Sequence, residues 1–91
     1  YMALTQLAAD APAVREAEAW VRRHLGQPFS VAQLARAVAV SPRTLARRLE
    51  ESLGLSPIAF VQRLRVETAA RLLETTRLPF EQIAHRVGYA D

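Results

Sequence analysis

Apolar residues recur at helical spacing along most of this chain, and no strand-like alternation of apolar and polar positions stands out. The clearest run is Val31 to Leu49. Val31, Leu34, Ala35 and Val38 recur at i, i+3, i+4 and i+7, one apolar stripe in which Ala35 is small enough to let a crossing helix come close. Ser30, with Gln33 three residues on, forms a capping box that ties down the exposed N–H groups of a helix starting at about Val31. Ser41 before Pro42 marks a second start, an N-cap followed by proline at the first helical position. Only Ala39, Val40 and Ser41 lie between the two helices, and so short a connection predicts a steep crossing, a helix-turn-helix.

The second helix places Leu45, Leu49 and Leu53 on one face, with Ala46 at its edge, and Gly54 marks its end. A longer helix is predicted from Ser56 to Thr76, again opened by Ser-Pro. Ile58, Val61, Leu64, Val66, Ala69, Leu72 and Leu73 cover well over half of its circumference, with Arg63, Glu67 and Glu74 on the remainder. So wide a band predicts a strut packed against units on both sides. Ahead of these, Pro12 to Leu25 reads as one more helix, with Asp10 as its cap, Gly26 as its stop, and Ala13, Ala17, Trp20, Val21 and Leu25 facing the core. Residues 1–9 show no strong pattern.

An internal repeat organises these elements. Shifting the chain by 49 residues lays Val31 to Pro42 on Phe80 to Asp91, so that Gln33 meets Gln82, Leu34 meets Ile83, Ala35 meets Ala84 and Val38 meets Val87. At the turn, Ala39 stands where the second copy has Gly88. A left-handed turn there would cost alanine about 1 kcal/mol, or else the first turn bends differently. The second copy stops where its own reading helix would begin, and the faces of Ile83, Val87 and Tyr89 are expected to lack a cover, so that the last residues fray or bury themselves against another molecule. The fold class predicted is all-α: tandem helix-turn-helix, homeodomain-like three-helix units joined by a long linker helix, the second unit truncated. Its divisions are 1–12, a linker or N-terminal extension; 13–55, the first unit; 56–76, the linker helix; and 77–91, the start of the second unit.

Charge sharpens the picture. The net charge is +3, but residues 1–18 carry one Arg and three acids (−2), residues 50–91 five Arg and six acids (−1), and residues 19–49 six Arg and no acid (+6). The basic segment coincides with the helix-turn-helix, an electrostatic footprint for a polyanion. On the second helix Arg43, Thr44, Arg47, Arg48 and Glu51 fall opposite the leucines. A plain surface helix would also be polar there; three arginines without an acid from Arg43 to Arg48 favour double-stranded DNA. Arg43 and Arg47, one turn apart, can both reach base edges, where an arginine fork pairs with guanine O6 and N7, and Thr44 lies beside them. Arg48 sits toward the side, suited to phosphate, with Ser41 and Ser30 at the helix starts as further phosphate contacts. Trp20 reads as a core anchor, with its ring against a sugar-phosphate chain as the alternative. Arg22, Arg23 and His24 either touch phosphate or are solvated.

Other chemistry is scarce. The chain has no Cys, which argues against disulfides and cysteine-ligated metal, and His24 and His85 are too few and too far apart for a recognisable acid-base or metal constellation. Gly26, Gly54 and Gly88 sit at expected helix ends instead of in a phosphate-cradling loop. Glu50, Glu51, Glu67 and Glu74 read as partners for neighbouring arginines. An enzyme is not expected, nor a cofactor. No apolar run approaches the roughly 20 residues of a membrane span and no signal peptide is evident, so no membrane partner and a cytoplasmic location are expected. The competing reading is a helical protein-interaction module whose exposed apolar C-terminal half-motif recruits a partner helix. A combined reading gives DNA to one end and RNA polymerase to the other.

The stretches SVAQLARAVAVSPRTLARRLEESLGLSPIAFVQRLRVETAARLLETT and LPFEQIAHRVGYAD resemble the C-terminal DNA-binding domain of the AraC/XylS family of bacterial transcription regulators, over about residues 14 to 91. The resemblance implies two helix-turn-helix units reading successive major-groove segments, and a separate effector or dimerisation domain N-terminal to them. SPRTLARR and LLETT resemble in particular members with an amidotransferase-like (DJ-1/PfpI) domain in that position. By position, Arg43, Ala46 and Arg47 fall at the family's base-facing sites. Ala46 departs from a polar reader, so its contact would be apolar, with a thymine methyl. With one complete reader, weak binding is expected.

Overall fold

Three helices begin on a serine whose hydroxyl oxygen accepts the third N–H of the helix, and this fixes where the chain turns. A computed structural model describes residues 11–89 and, among them, five helices: α1 Pro12–His24, α2 Val31–Ala37, α3 Pro42–Leu53, α4 Pro57–Thr75 and α5 Phe80–Arg86. Ser30, Ser41 and Ser56 cap α2, α3 and α4 by accepting from Gln33, Thr44 and Ala59. At α2 the capping box is complete, since Gln33 Oε1 accepts in return from the Ser30 N–H at 2.7 Å. The start of α1 is different. Its N-cap is Ala11 with no side-chain hydrogen bond, and Asp10, the expected cap, lies outside the described residues. The helix ends on Leu25 in right-handed geometry; Gly26 follows without a positive φ, whereas Gly54 closes α3 in the left-handed conformation at φ 68°.

One core forms where α1, α2, α3 and the first half of α4 meet. It comprises Val14, Ala17, Val21 and Leu25; Leu34, Ala35 and Val38; Leu45 and Leu49; and Phe60, Val61 and Leu64. Val14 and Phe60 are core residues that the spacing argument did not select, although Val14, Ala17 and Val21 recur at i, i+3 and i+7, and Phe60 with Leu64 at i and i+4. Trp20 packs at the rim of this core. Its ring stacks on His24 at 4.0 Å and meets Phe29 edge-on at 5.0 Å.

The broad apolar band of α4 is only partly covered. Phe60, Val61 and Leu64 are buried, but Ile58, Val66 and Leu73 are more than half exposed. The C-terminal half-motif, in contrast, is covered where exposure was expected. Ile83 and Val87 are buried because α5 packs on α4 and its turn meets the end of α1. Arg65 of α4 donates from Nε to the Val87 carbonyl at 3.0 Å, and the Tyr89 hydroxyl donates to Gln62 Oε1 at 2.9 Å. The Leu25 carbonyl sits where a Cβ on Gly88 would be. Tyr89 itself stays exposed.

The internal repeat is carried into backbone geometry. α2 and α5 each span seven residues, 49 apart in number. Their caps match, Val38 at φ −105°, ψ 15° and Val87 at φ −98°, ψ 6°. The next residues are both left-handed, Ala39 at φ 60° and Gly88 at φ 89°. Ala39 N–H donates to Arg36 O and Val40 N–H to Ala35 O, as Gly88 N–H does to His85 O and Tyr89 N–H to Ala84 O. The first turn therefore keeps the shape of the second and carries the strain of a left-handed alanine. Ala39 is exposed, so Ala39→Gly loses no packing. It should raise stability by about 0.5 to 1 kcal/mol, the left-handed penalty less the added chain entropy of glycine. A shift of the urea midpoint upward at unchanged m-value would show it; a lower midpoint would contradict it.

Candidate nucleic-acid interface

α3 is held from beneath and bare on top. Leu45 and Leu49 are fully buried and fix the helix to α1, α2 and α4, while Arg43, Arg47 and Arg48 are exposed and Thr44 and Ala46 are half-buried. At its start the Ser41 oxygen accepts from the Thr44 N–H at 3.1 Å, and the Ser41 hydroxyl donates to Thr44 Oγ1 at 3.0 Å. These two hydroxyls are thus organised around the helix N-terminus. Ser30 does the same at α2, accepting from the Gln33 N–H at 3.1 Å.

The charges along α3 run against the helix dipole. Cations favour a helix C-terminus and anions its N-terminus, by about 0.3 to 1 kcal/mol each. α1 obeys this, with Arg22, Arg23 and His24 in its last turn, and so does α5, with Glu81 in its first turn and His85 and Arg86 in its last. α3 reverses it: Arg43 stands near the start and Glu50 and Glu51 near the end, with no basic residue in the last turn. Arg43, in the first turn, gains nothing from the dipole, and its exposed side chain is open to an external anion. Arg47 Nη1 lies 3.2 Å from Glu51 Oε1, a pair in which both side chains are 62% exposed. Arg48, Glu51 and Ser52 border a shallow cleft with Ala11, Pro12 and Ala13 at the start of α1.

Arg22 has neither of the roles the sequence offered it. Its Nε lies 3.3 Å from Glu18 Oε2, its Nη2 3.5 Å from Glu67 Oε2, and its Nη1 donates to Thr68 Oγ1 at 3.4 Å. Both carboxylate side chains are only 8% exposed. The guanidinium therefore ties α1 to α4, and Glu67, expected on the solvent face beside a neighbouring arginine, is paired with one 45 residues away. The Glu18–Arg22 spacing of four was a legible hint of half of this network; the other half had no local signal. Of the six arginines in residues 19–49, this leaves Arg23, Arg36, Arg43, Arg47 and Arg48 exposed. His24 Nδ1 lies 2.7 Å from the Trp20 carbonyl oxygen and its ring against Trp20, so it faces the protein. Among the described residues no group of three His, Cys, Asp or Glu converges as a metal site would require, and no helix is long and apolar enough to cross a membrane.

A family model described as a helix-turn-helix domain matches residues 34–91, and the chain is 40% identical over 78 residues to a putative AraC-like transcription regulator of Streptomyces antibioticus. The chain belongs to the AraC-type helix-turn-helix family. That match covers 86% of the chain and 26% of the relative. The arabinose operon regulatory protein of Escherichia coli K12 is 34% identical over 79 residues, 86% of the chain and 27% of the relative. The AraC-type domain described here thus spans about a quarter of the length of these curated relatives. Its fold is shared with solved structures. An AraC-type transcriptional regulator from Chromobacterium violaceum superposes with a TM-score of 0.82 at 30% identity, covering 92% of this chain and 75% of that one. The DNA-binding domain of AdpA, a global transcriptional factor solved in complex with a target DNA, superposes at 0.70 with 35% identity, covering 86% and 69%.

Proposed function

We propose that this AraC-type domain binds double-stranded DNA in bacterial transcription regulation, with α3 in the major groove. The observation that carries this reading is a helix anchored by buried leucines that presents Arg43, Arg47 and Arg48 on its exposed side, Arg43 in the first turn against the preference of the helix dipole. The likeness to a domain solved on its target DNA supports it. In this reading Arg43 and Arg47 fork onto guanine edges, Ala46 meets a thymine methyl and Thr44 reads beside them. Arg48 takes phosphate, together with the capped helix starts at Ser41 and Ser30. Residues 13–55 form one reading unit, 56–76 the linker and 77–91 the beginning of a second. Effector binding and dimerisation belong, in this scheme, to parts of a regulator outside these 91 residues.

The alternative of an interaction module on the C-terminal half-motif is weakened, because Ile83 and Val87 are buried against the protein itself, while Phe80 and Tyr89 stay exposed. Fluorescence anisotropy with duplexes selected from a random pool separates the two. DNA binding should weaken linearly in log affinity against log salt through counterion release, and Arg48→Ala should flatten that slope by about 0.9 while leaving discrimination between duplexes unchanged. Association that persists or strengthens with salt would overturn the reading.

A further inference from the structure

The sign of charge switches within α3. Arg43, Arg47 and Arg48 occupy its first part and Glu50 and Glu51 follow directly, with Glu51 Oε1 accepting a hydrogen bond from Arg47 Nη1 at 3.2 Å. As a stabilising pair this contact is weak. Both side chains are 62% exposed, such pairs are commonly worth about 0 to 1 kcal/mol, and a cation placed N-terminal to its anion runs in the less favourable direction along the helix. An acid on the face turned toward a polyanion also lowers affinity for every duplex. General affinity therefore does not account for it, and the pair by itself adds little to stability.

The geometry of the contact suggests what does. Glu51 engages Nη1 alone, so the Nε–Nη2 edge of Arg47 keeps its two parallel donors for the O6 and N7 of a guanine. Held in this way, Arg47 can reach inward to a base edge. To swing out to a phosphate it must leave Glu51 or carry the carboxylate toward the DNA backbone, and like charge opposes the second course. Phosphates are present in every duplex and guanine at this position in few, so a restraint that penalises only the phosphate contact raises discrimination.

Resting on the reading of α3 given above, we infer that Glu51 is a specificity-determining residue: it restrains Arg47 from the phosphate backbone and leaves it for base readout. Glu50 is the natural control, since it adds the same charge one residue away on the same helix.

The test compares the unsubstituted chain with Glu51→Gln and Glu50→Gln on a duplex selected from a random pool and on unrelated duplexes, across a salt series. Glu51→Gln should bind unrelated duplexes about threefold or more tightly at low salt, with a slope steeper by about 0.9, the signature of one gained phosphate contact. Its affinity for the selected duplex should stay within about twofold, so the specificity ratio falls. Glu50→Gln should shift both affinities by one common factor. The thermal midpoint of Glu51→Gln should move by no more than about 4 °C, because an exposed pair adds little to stability. An equal gain on both duplexes would reduce Glu51 to a general charge and overturn the inference, as would lost affinity for the selected duplex with unrelated binding unchanged. Absence of duplex binding by the unsubstituted chain would instead overturn the reading of α3, and this inference with it.

Discussion

Arg22→Met is expected to lower the stability of the domain by about 2 to 4 kcal/mol, toward the lower part of the range for removing one partner of a buried ion pair. The physical reason is that two buried carboxylates lose a cationic partner in one change. Glu18 and Glu67 are each 8% exposed and both contact this guanidinium, which is itself 25% exposed; that partial exposure lets water soften the loss. Methionine keeps much of the aliphatic stem, so the change isolates charge from packing. Urea unfolding of Arg22→Met against the unsubstituted chain measures it. A second comparison guards the interpretation: Arg23→Met, one residue along on an exposed site, should change stability by less than about 0.5 kcal/mol. Equal small losses in the two variants would mean that Arg22 behaves as an ordinary surface residue and does not hold α1 to α4.

Gly88→Ala should be comparably costly, about 2 to 5 kcal/mol, and its effect should be local. Two terms add. The residue sits at φ 89°, where a Cβ costs about 1 to 2 kcal/mol. The new methyl would also overlap the Leu25 carbonyl, and it would lie 3.1 Å from Arg65 Nε. The arginine can give way, but the carbonyl belongs to the end of α1 and cannot without moving that helix, a steric load of about 1 to 3 kcal/mol. The domain should respond by releasing the α5 turn. Hydrogen exchange is then expected to speed up for the amides of Ile83 and Val87 while those of Leu45 and Leu49 keep their protection. Uniformly faster exchange would show instead that both helix-turn-helix parts unfold as one unit. Because Ala39→Gly makes the reverse exchange at the equivalent turn, opposite signs for the two variants would tie both to one backbone requirement.

These two sites also mark where sequence reading runs out. The helix starts at Ser30, Ser41 and Ser56 were legible because a capping hydroxyl and the N–H it accepts are three residues apart, and the structure places all three caps there. The buried leucines of α3 followed from helical spacing for the same reason. Arg22 with Glu67, and Gly88 with Leu25, join residues far apart in sequence, and no local pattern encodes such a meeting. Apolar periodicity also reports which side of a helix could be buried and not how much of it is, so α4 showed its band without showing that Val66 and Leu73 stay exposed. The expected exposure of Ile83 and Val87 failed likewise: their cover comes from α4 and the end of α1, not from a sequence neighbour. The arginine face of α3 was visible early because it depends on spacing within one helix.

The central claim is that α3 reads bases through its arginines, and the most direct measurement is the affinity of Arg43→Ala for a selected duplex and for the same duplex with single base pairs changed. One base-pair change that strongly weakens the unsubstituted chain is expected to become nearly neutral for Arg43→Ala, a loss of about 1 to 3 kcal/mol of discrimination confined to that position. Equal weakening on every duplex would assign Arg43 to the backbone and contradict it.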